Sequence, residues 1–343
     1  MSNLANINDV AKAANVSKST VSNVFNNKRN VSEEVKKRVF KVADELDYYP
    51  NKIASALTTK KTGLVGLFID NDKGFRQMDN KLIQGVSLEL NKTNQHMILY
   101  LKACNSEKRK GETINKKLNT EPIDAAIIVA PMFEDIRINE LTKLKKYIIL
   151  IGHAPNSTMD VMSVDVDNIK ITYEVTMKLI ELGHNKIAFI NSKANLTVSI
   201  DRLKGYQKAL KETGIEYNPE VTFYSNNSEK MGYEIGLYIL KEMDVSAIIC
   251  ESDTVGSGIY KAAKELGMSI PDDISIFALG GEDKNLLPRI STVYVDYEEL
   301  GRNAVHLLEG KGKGKGKGKG VNILINSHEL IVLESISSNG IFE

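Results

Sequence analysis

The chain has 343 residues, 42% apolar and 26% charged, enough to bury a large core and remain soluble. No apolar stretch approaches the roughly 20 residues that cross a bilayer, and the opening MSNLANINDV lacks the basic-then-apolar pattern of a secretory signal. Only Cys104 and Cys250 occur, each at or beside an apolar run, so buried thiols in a cytoplasmic protein are expected, with no disulfide framework, metal site or cofactor.

The net charge of +1 hides a skew. Residues 1–61 carry eleven Lys/Arg against six Asp/Glu, a balance of +5, and the remainder carries −4. A basic head on a slightly acidic body suits contact between the head and a polyanion.

Residues 6–46 read as three short helices. Ile7, Val10, Ala11 and Ala14 recur at helical spacing, with Asn6 as N-cap and Asp9 in the first turn. Asn15 and Val16 break the pattern, and Ser17 caps a second helix. Its inward face is Val21 and Val24; Lys18, Ser19, Ser22 and Asn23 point outward. Ser32 caps a third helix, with Glu33 and Glu34 against the helix dipole and Val35, Val39, Val42, Ala43 and Leu46 as its apolar positions. Two short helices joined by a tight turn fit a helix-turn-helix, whose second helix enters the major groove. After it, Pro50 can start a helix over Asn51–Leu57, about two turns, too short to hold alone in water. Such a segment folds against something, and DNA is the natural partner.

The run NINDVAKAANVSKSTVSNVFNNKRNVSEEVKKRVFKVADELDYYPNKIASAL resembles, nearly position for position, the head and hinge of the lactose-repressor (LacI-type) family of transcription regulators. The resemblance implies base reading by Lys18, Ser19 and Asn23, and phosphate contacts from Asn6, Ser17, Thr20, Ser22 and Asn26. It implies that Leu57 wedges into the minor groove with Ala54 beside it. The family usually has arginine where this chain has Asn23; asparagine pairs with adenine, which shifts the expected half-site toward A·T. Lys60 and Lys61 read equally as solvated linker charges or as phosphate contacts.

From residue 63 onward, apolar runs of strand length alternate with amphipathic stretches: residues 64–70, 96–101, 125–130, 147–152, 186–191, 247–251 and 274–279. This pattern predicts an α/β body of two lobes, each a doubly wound parallel sheet, with a ligand cleft beyond the carboxyl ends of the strands. The runs at 163–168, 181–190, 199–210, 265–296 and 299–308 extend the resemblance, and with it a likeness to periplasmic sugar-binding proteins, over essentially the whole chain. The implied organisation is a DNA-binding head at 1–47 and a hinge helix with linker at 48–62. The first lobe is expected at 63–162 plus 292–322 and the second at 163–291 plus 323–343.

Effector contacts implied by the resemblance are Phe75, Gly152, His153, Arg202, Asn227, Asp253 and Glu282. Arginine's fork suits hydroxyl or carboxylate groups, and Asn227 stands where an aromatic often stacks, which argues against a purine. A polar cleft with few aromatics points to a sugar or sugar phosphate. The GKGKGKGKGKG run at 310–320 has glycines only at even spacing, so no phosphate loop fits within it and it reads as a linker. No nucleophile-and-base motif occurs, so no enzyme is read. The expectation is a homodimeric repressor on a pseudo-palindromic operator, controlled by a small effector. The alternatives are gating by a partner protein, or a cytoplasmic solute-binding protein without DNA function.

Overall fold

The computed structural model describes residues 5–25, 31–48, 61–70, 77–101, 122–154, 161–281, 289–310, 322–325 and 328–338. The chain divides into two compact units, Met1–Gly63 and Leu64–Glu343.

In the first unit, α1 (Ile7–Ala13), α2 (Lys18–Phe25) and α3 (Glu33–Glu45) bury one apolar cluster: Val10, Ala11, Ala14, Val21, Val24, Val39 and Ala43. Asn6 closes a capping box on α1. Its side chain accepts from the Asn8 amide at 2.9 Å, and its own N–H donates to the Asp9 carboxylate at 2.8 Å. Asn15 ends α1 in the left-handed region (φ +50°), which asparagine tolerates better than most residues. Ser32 caps α3 by accepting from the Val35 amide. Of the apolar positions expected on α3, Leu46 departs: it lies past the last turn as the C-cap and is 37% exposed.

The second unit holds two six-stranded sheets. Its strands are β1 (Leu64–Ile69), β2 (His96–Leu101), β3 (Ala125–Val129), β4 (Tyr147–Ile151), β5 (Met162–Val166), β6 (Ile187–Asn191), β7 (Thr222–Tyr224), β8 (Ala247–Cys250), β9 (Ser275–Ala278), β10 (Ser291–Val295), β11 (Asn322–Ile325) and β12 (His328–Ile331). The first sheet has the order β11-β5-β4-β3-β1-β2 and is parallel throughout. The second has the order β12-β10-β9-β8-β6-β7 and is parallel except at its edge, where β12 runs antiparallel to β10. The expected doubly wound parallel sheets are therefore present, with one reversed strand.

Successive residues of a strand face opposite sides, and both sides are covered. Val65, Leu67 and Ile69 of β1 pack with Leu82, Val86 and Leu90 of α4 (Gln77–Lys92) and with Leu300, Ala304 and Val305 of α10 (Tyr297–Leu308). Phe68 points the other way, toward Ile138 and Leu141 of α5 (Ile136–Lys143). In the second lobe, α6 (Asn168–Glu181) and α7 (Thr197–Glu212) cover one face, and α8 (Glu229–Glu242) and α9 (Asp253–Glu265) the other. Helix pairs approach closely at glycine: a Cβ on Gly85 of α4 would lie 2.1 Å from the Glu298 carbonyl oxygen of α10.

The chain passes between lobes after Val166, after Val295 and between Ile325 and His328. These points fall a few residues later than the expected 162, 292 and 323. The physical reason is that β5, β10 and β11 each complete their pairing with the sheet they are leaving before the chain crosses. Among the described residues no helix is long and apolar enough to span a membrane. Cys250 is fully buried, and burial pushes its thiol pKa far up, so it is inert; Cys104 lies outside the described residues.

Candidate functional site

On the head, α2 buries Val21 and Val24 and thereby turns its opposite side outward. Ser17, Lys18 and Ser19 are exposed at its start, and Ser22 and Asn23 are half-exposed one turn on. The Ser17 hydroxyl accepts from the Thr20 amide at 3.1 Å and meets the hydroxyls of Ser19 and Thr20 at 2.7 and 2.8 Å. This small hydroxyl cluster caps the helix and presents short polar groups with Lys18 beyond them. An approaching phosphate would find donors at a helix N-terminus there.

On the body, Arg202 in the second turn of α7 is 9% exposed and lies across the carboxyl ends of three adjacent strands. Its Nη1 donates to Ser192 Oγ after β6 at 3.3 Å and to the Glu251 carbonyl after β8 at 3.5 Å. Its Nη2 donates to the Leu279 carbonyl after β9 at 3.5 Å. All three bonds are long, and the buried Nε has no hydrogen-bond partner. The guanidinium is held in place and left under-satisfied.

Glu251 is almost fully buried beside it. It accepts from the hydroxyls of Ser192 and Ser225 and from the Asn227 amide at 2.9 Å. Asn227 takes a left-handed backbone (φ +56°), and its side-chain oxygen accepts from Ser252, the N-cap of α9. Asn191 of β6 donates to the Ser199 carbonyl at 2.8 Å and so anchors the start of α7, whose N-cap Leu196 offers no side-chain bond.

The first lobe adds Asp165 from β5. One carboxylate oxygen accepts from the Val166 amide at 2.8 Å and from Asn168 at 3.2 Å. Burial, reinforced by the charge of Asp201, pushes this carboxyl up to about 7. His153, just after β4, places Nδ1 3.1 Å from Asp201 and 4.0 Å from Asp165. Gly152 before it has φ +115°, and a Cβ there would come within 2.7 Å of the Pro131 ring, so glycine is required by the backbone.

Residues 6–51 match the family described as bacterial regulatory proteins, lacI family, and residues 176–335 match a periplasmic binding protein-like domain. The HTH-type transcriptional regulator RegA of Clostridium saccharobutylicum is 30% identical over 335 residues, covering 96% of this chain and 98% of that protein. The chain belongs to the lacI family. It is a DNA-binding transcription regulator and not an enzyme. The ribose operon repressor of Haemophilus influenzae is also 30% identical to this lacI-family regulator, over 89% of the chain and 91% of its own length. The lac repressor dimer bound to operator shares the fold, with a TM-score of 0.79 at 21% identity over 98% of this chain and all of that one.

In this lacI-family regulator Lys18, Ser19, Ser22 and Asn23 lie on α2 away from its buried valines, with Ser17 at the cap and Thr20 half-buried against it. Asn6 sits apart at the start of α1, its oxygen engaged in the capping box. Asn26, Ala54, Leu57, Phe75 and Glu282 lie outside the described residues. In the body, Arg202 and Asn227 belong to one connected polar network through Ser192 and Glu251. His153 of the first lobe meets Asp201 of α7, one residue before Arg202, while the contact given for Gly152 is with Pro131 of its own lobe. Asp253 opens α9 and accepts from the Thr254 amide at 2.7 Å, a local capping geometry.

Sequence reasoning missed Ser192, Glu251, Asp165 and Asp201. Two of them had a usable signal, because Ser192 directly follows the apolar run of β6 and Glu251 that of β8. Those are the strand ends where α/β sheets place ligands.

Proposed function

We propose that this regulator is a cytoplasmic homodimeric repressor of a pseudo-palindromic operator, and that a sugar held beside Arg202 between the lobes controls it. Lys18, Ser19 and Asn23 read base edges; Asn6, Ser17, Thr20, Ser22 and Asn26 hold phosphates; Leu57, with Ala54, wedges the minor groove. The side chains of α2 support this reading, since small hydroxyls and one lysine match the outline of a groove and Asn23 has the bidentate geometry for adenine. Phosphate contacts release counterions, so binding falls steeply with salt.

The observation that carries the effector reading is the buried Arg202, with long bonds to three strand ends and an unpartnered Nε. A buried donor without a partner costs roughly 1–3 kcal/mol, and a ligand oxygen delivered there recovers it. A sugar answers both halves of the site: its oxygens accept from Arg202, and its hydroxyls donate to carboxylates such as Asp165. Phe75, Gly152, His153, Asn227, Asp253 and Glu282 complete the proposed contact set. The ribose-bound and cellobiose-bound relatives of similar fold support the same ligand class.

The test is operator binding by the full-length chain at low salt, titrated with D-ribose, cellobiose and their phosphates. A saturable change in operator affinity with one of them is expected. Operator binding unmoved by any sugar, with no calorimetric heat of sugar binding, overturns the effector half. Absence of preference for any duplex overturns the operator half.

A further inference from the structure

The two lobes meet along a seam that is separate from the covalent crossings. On the first lobe it comprises Pro131, Met132 and Phe133 after β3, together with His153 after β4. On the second it comprises Asn195, Leu196 and Thr197 at the start of α7, together with Asp201. Met132 and Leu196 form an isolated antiparallel bridge. Phe133 N–H donates to the Asn195 carbonyl at 2.8 Å, and Thr197 N–H donates to the Pro131 carbonyl at 3.2 Å. Separating the lobes breaks these bonds, whereas the crossings persist.

Beside the backbone bridge stands the one interlobe ion pair among the described side chains at this seam. His153 Nδ1 lies 3.1 Å from Asp201 of the second lobe, and Asp165 of the first lobe lies 4.0 Å from the same nitrogen. A single imidazole thus stands between two carboxylates that belong to opposite lobes. We infer that His153, between Asp201 and Asp165, is a proton-operated latch that holds the lobes together when the imidazole is charged and loosens them when it is neutral.

The charges around it fix the sign. Asp165 from β5 and Asp201 from α7 face His153; the Arg202 charge acts on Asp165, and Lys204 pairs with Asp201. Lys204 donates to the far oxygen of Asp201 at 3.2 Å. Histidine changes charge between about pH 5 and 8. A protonated imidazole gives the seam an ion pair; a neutral one leaves two carboxyl groups facing each other. Asp165 acts in the same direction. Its carboxyl, raised by burial to about 7, is neutral on the acid side and becomes a second negative charge near Asp201 as the pH passes that value. Both groups therefore favour closure below neutrality and oppose it above.

This inference rests on the seam alone and holds whichever ligand the site takes. The test is hydrogen exchange on the full chain without ligand, from pH 6 to 8.5, with intrinsic rates divided out. The Phe133 and Thr197 amides, which bond across the seam, report closure. The Ala130 amide, bonded to Ile151 within the first lobe, and the Ser225 amide, bonded to Asn191 within the second, serve as internal controls. Protection at Phe133 and Thr197 is expected to fall roughly fivefold over this range, the size of a partly exposed ion pair, while the controls hold steady. His153→Gln is expected to flatten the dependence, and Asp201→Asn to keep protection low at every pH. An unchanged pH slope in both variants, or controls that move in step with the seam, overturns the latch.

Discussion

The head and the proposed interlobe site arrange their polar groups in opposite ways. The head buries a cluster of seven small apolar side chains and leaves the polar side of α2, proposed to meet DNA, on the outside. The proposed interlobe site buries its polar groups: Arg202, Glu251 and Ser192 are all under 10% exposed. A reader of DNA must offer its groups to a partner too large to enter, so one helix and its cap suffice. A reader of small molecules must strip water from its ligand, and that takes strand ends and helix starts from several parts of the chain. The difference decides what damage each region tolerates.

Four substitutions probe that contrast, in descending order of effect. Val21→Asp places an unpaired charge at a fully buried position of the head, a loss of more than about 4 kcal/mol in a unit this small. Calorimetry should show the body's transition unchanged while gel-shift binding to operator disappears; retained binding would mean the head is held by more than its own core. Arg202→Ala should weaken sugar binding about 100-fold, from the loss of charge-assisted bonds worth roughly 1.5–3 kcal/mol. Operator affinity without sugar should be spared. Isothermal titration and a gel shift measured together would separate this from general misfolding, which lowers both.

Lys18→Ala should reduce operator affinity by about tenfold. If Lys18 reads a base, the loss is confined to one base pair of the half-site. If it contacts phosphate, the loss is uniform over sequences and the salt slope drops by about one. The smallest effect is Asp165→Asn. The folded carboxyl titrates near 7 against an ordinary 3.8, so the ionised form opposes folding, and its cost grows as pH rises through that window. The amide should therefore raise the body's melting temperature by a few degrees at pH 8, about 1 kcal/mol, and leave it unchanged near pH 4. A gain at acid pH instead would show that the buried charge is not the cause.

Legibility in the sequence followed the same divide. Caps at Asn6 and Ser32 and the inward valines of α2 were readable because each depends on residues within one turn. Strands with unbroken apolar runs, such as Ala125–Val129 and Ala247–Cys250, were equally plain. The strand Met162–Val166 was harder because it carries Asp165 inside it, and Thr222–Tyr224 because it has three residues. Arg202 could be singled out by its resemblance to a family position. The company it keeps could not, because Ser192, Glu251 and Leu279 meet it only through the order of strands in the second sheet.

The late strands have a consequence for biosynthesis. Asn322–Ile325 completes the first sheet beside Met162–Val166, and His328–Ile331 completes the second beside Ser291–Val295. A nascent chain emerging from the ribosome can finish the head early, since all its contacts are local. Both lobes must instead wait, each with an open sheet edge, until the last-made strands arrive. Chaperone demand should therefore concentrate in the final moments of translation, and a stop codon placed before residue 322 should release a soluble head tethered to two unfinished, aggregation-prone halves.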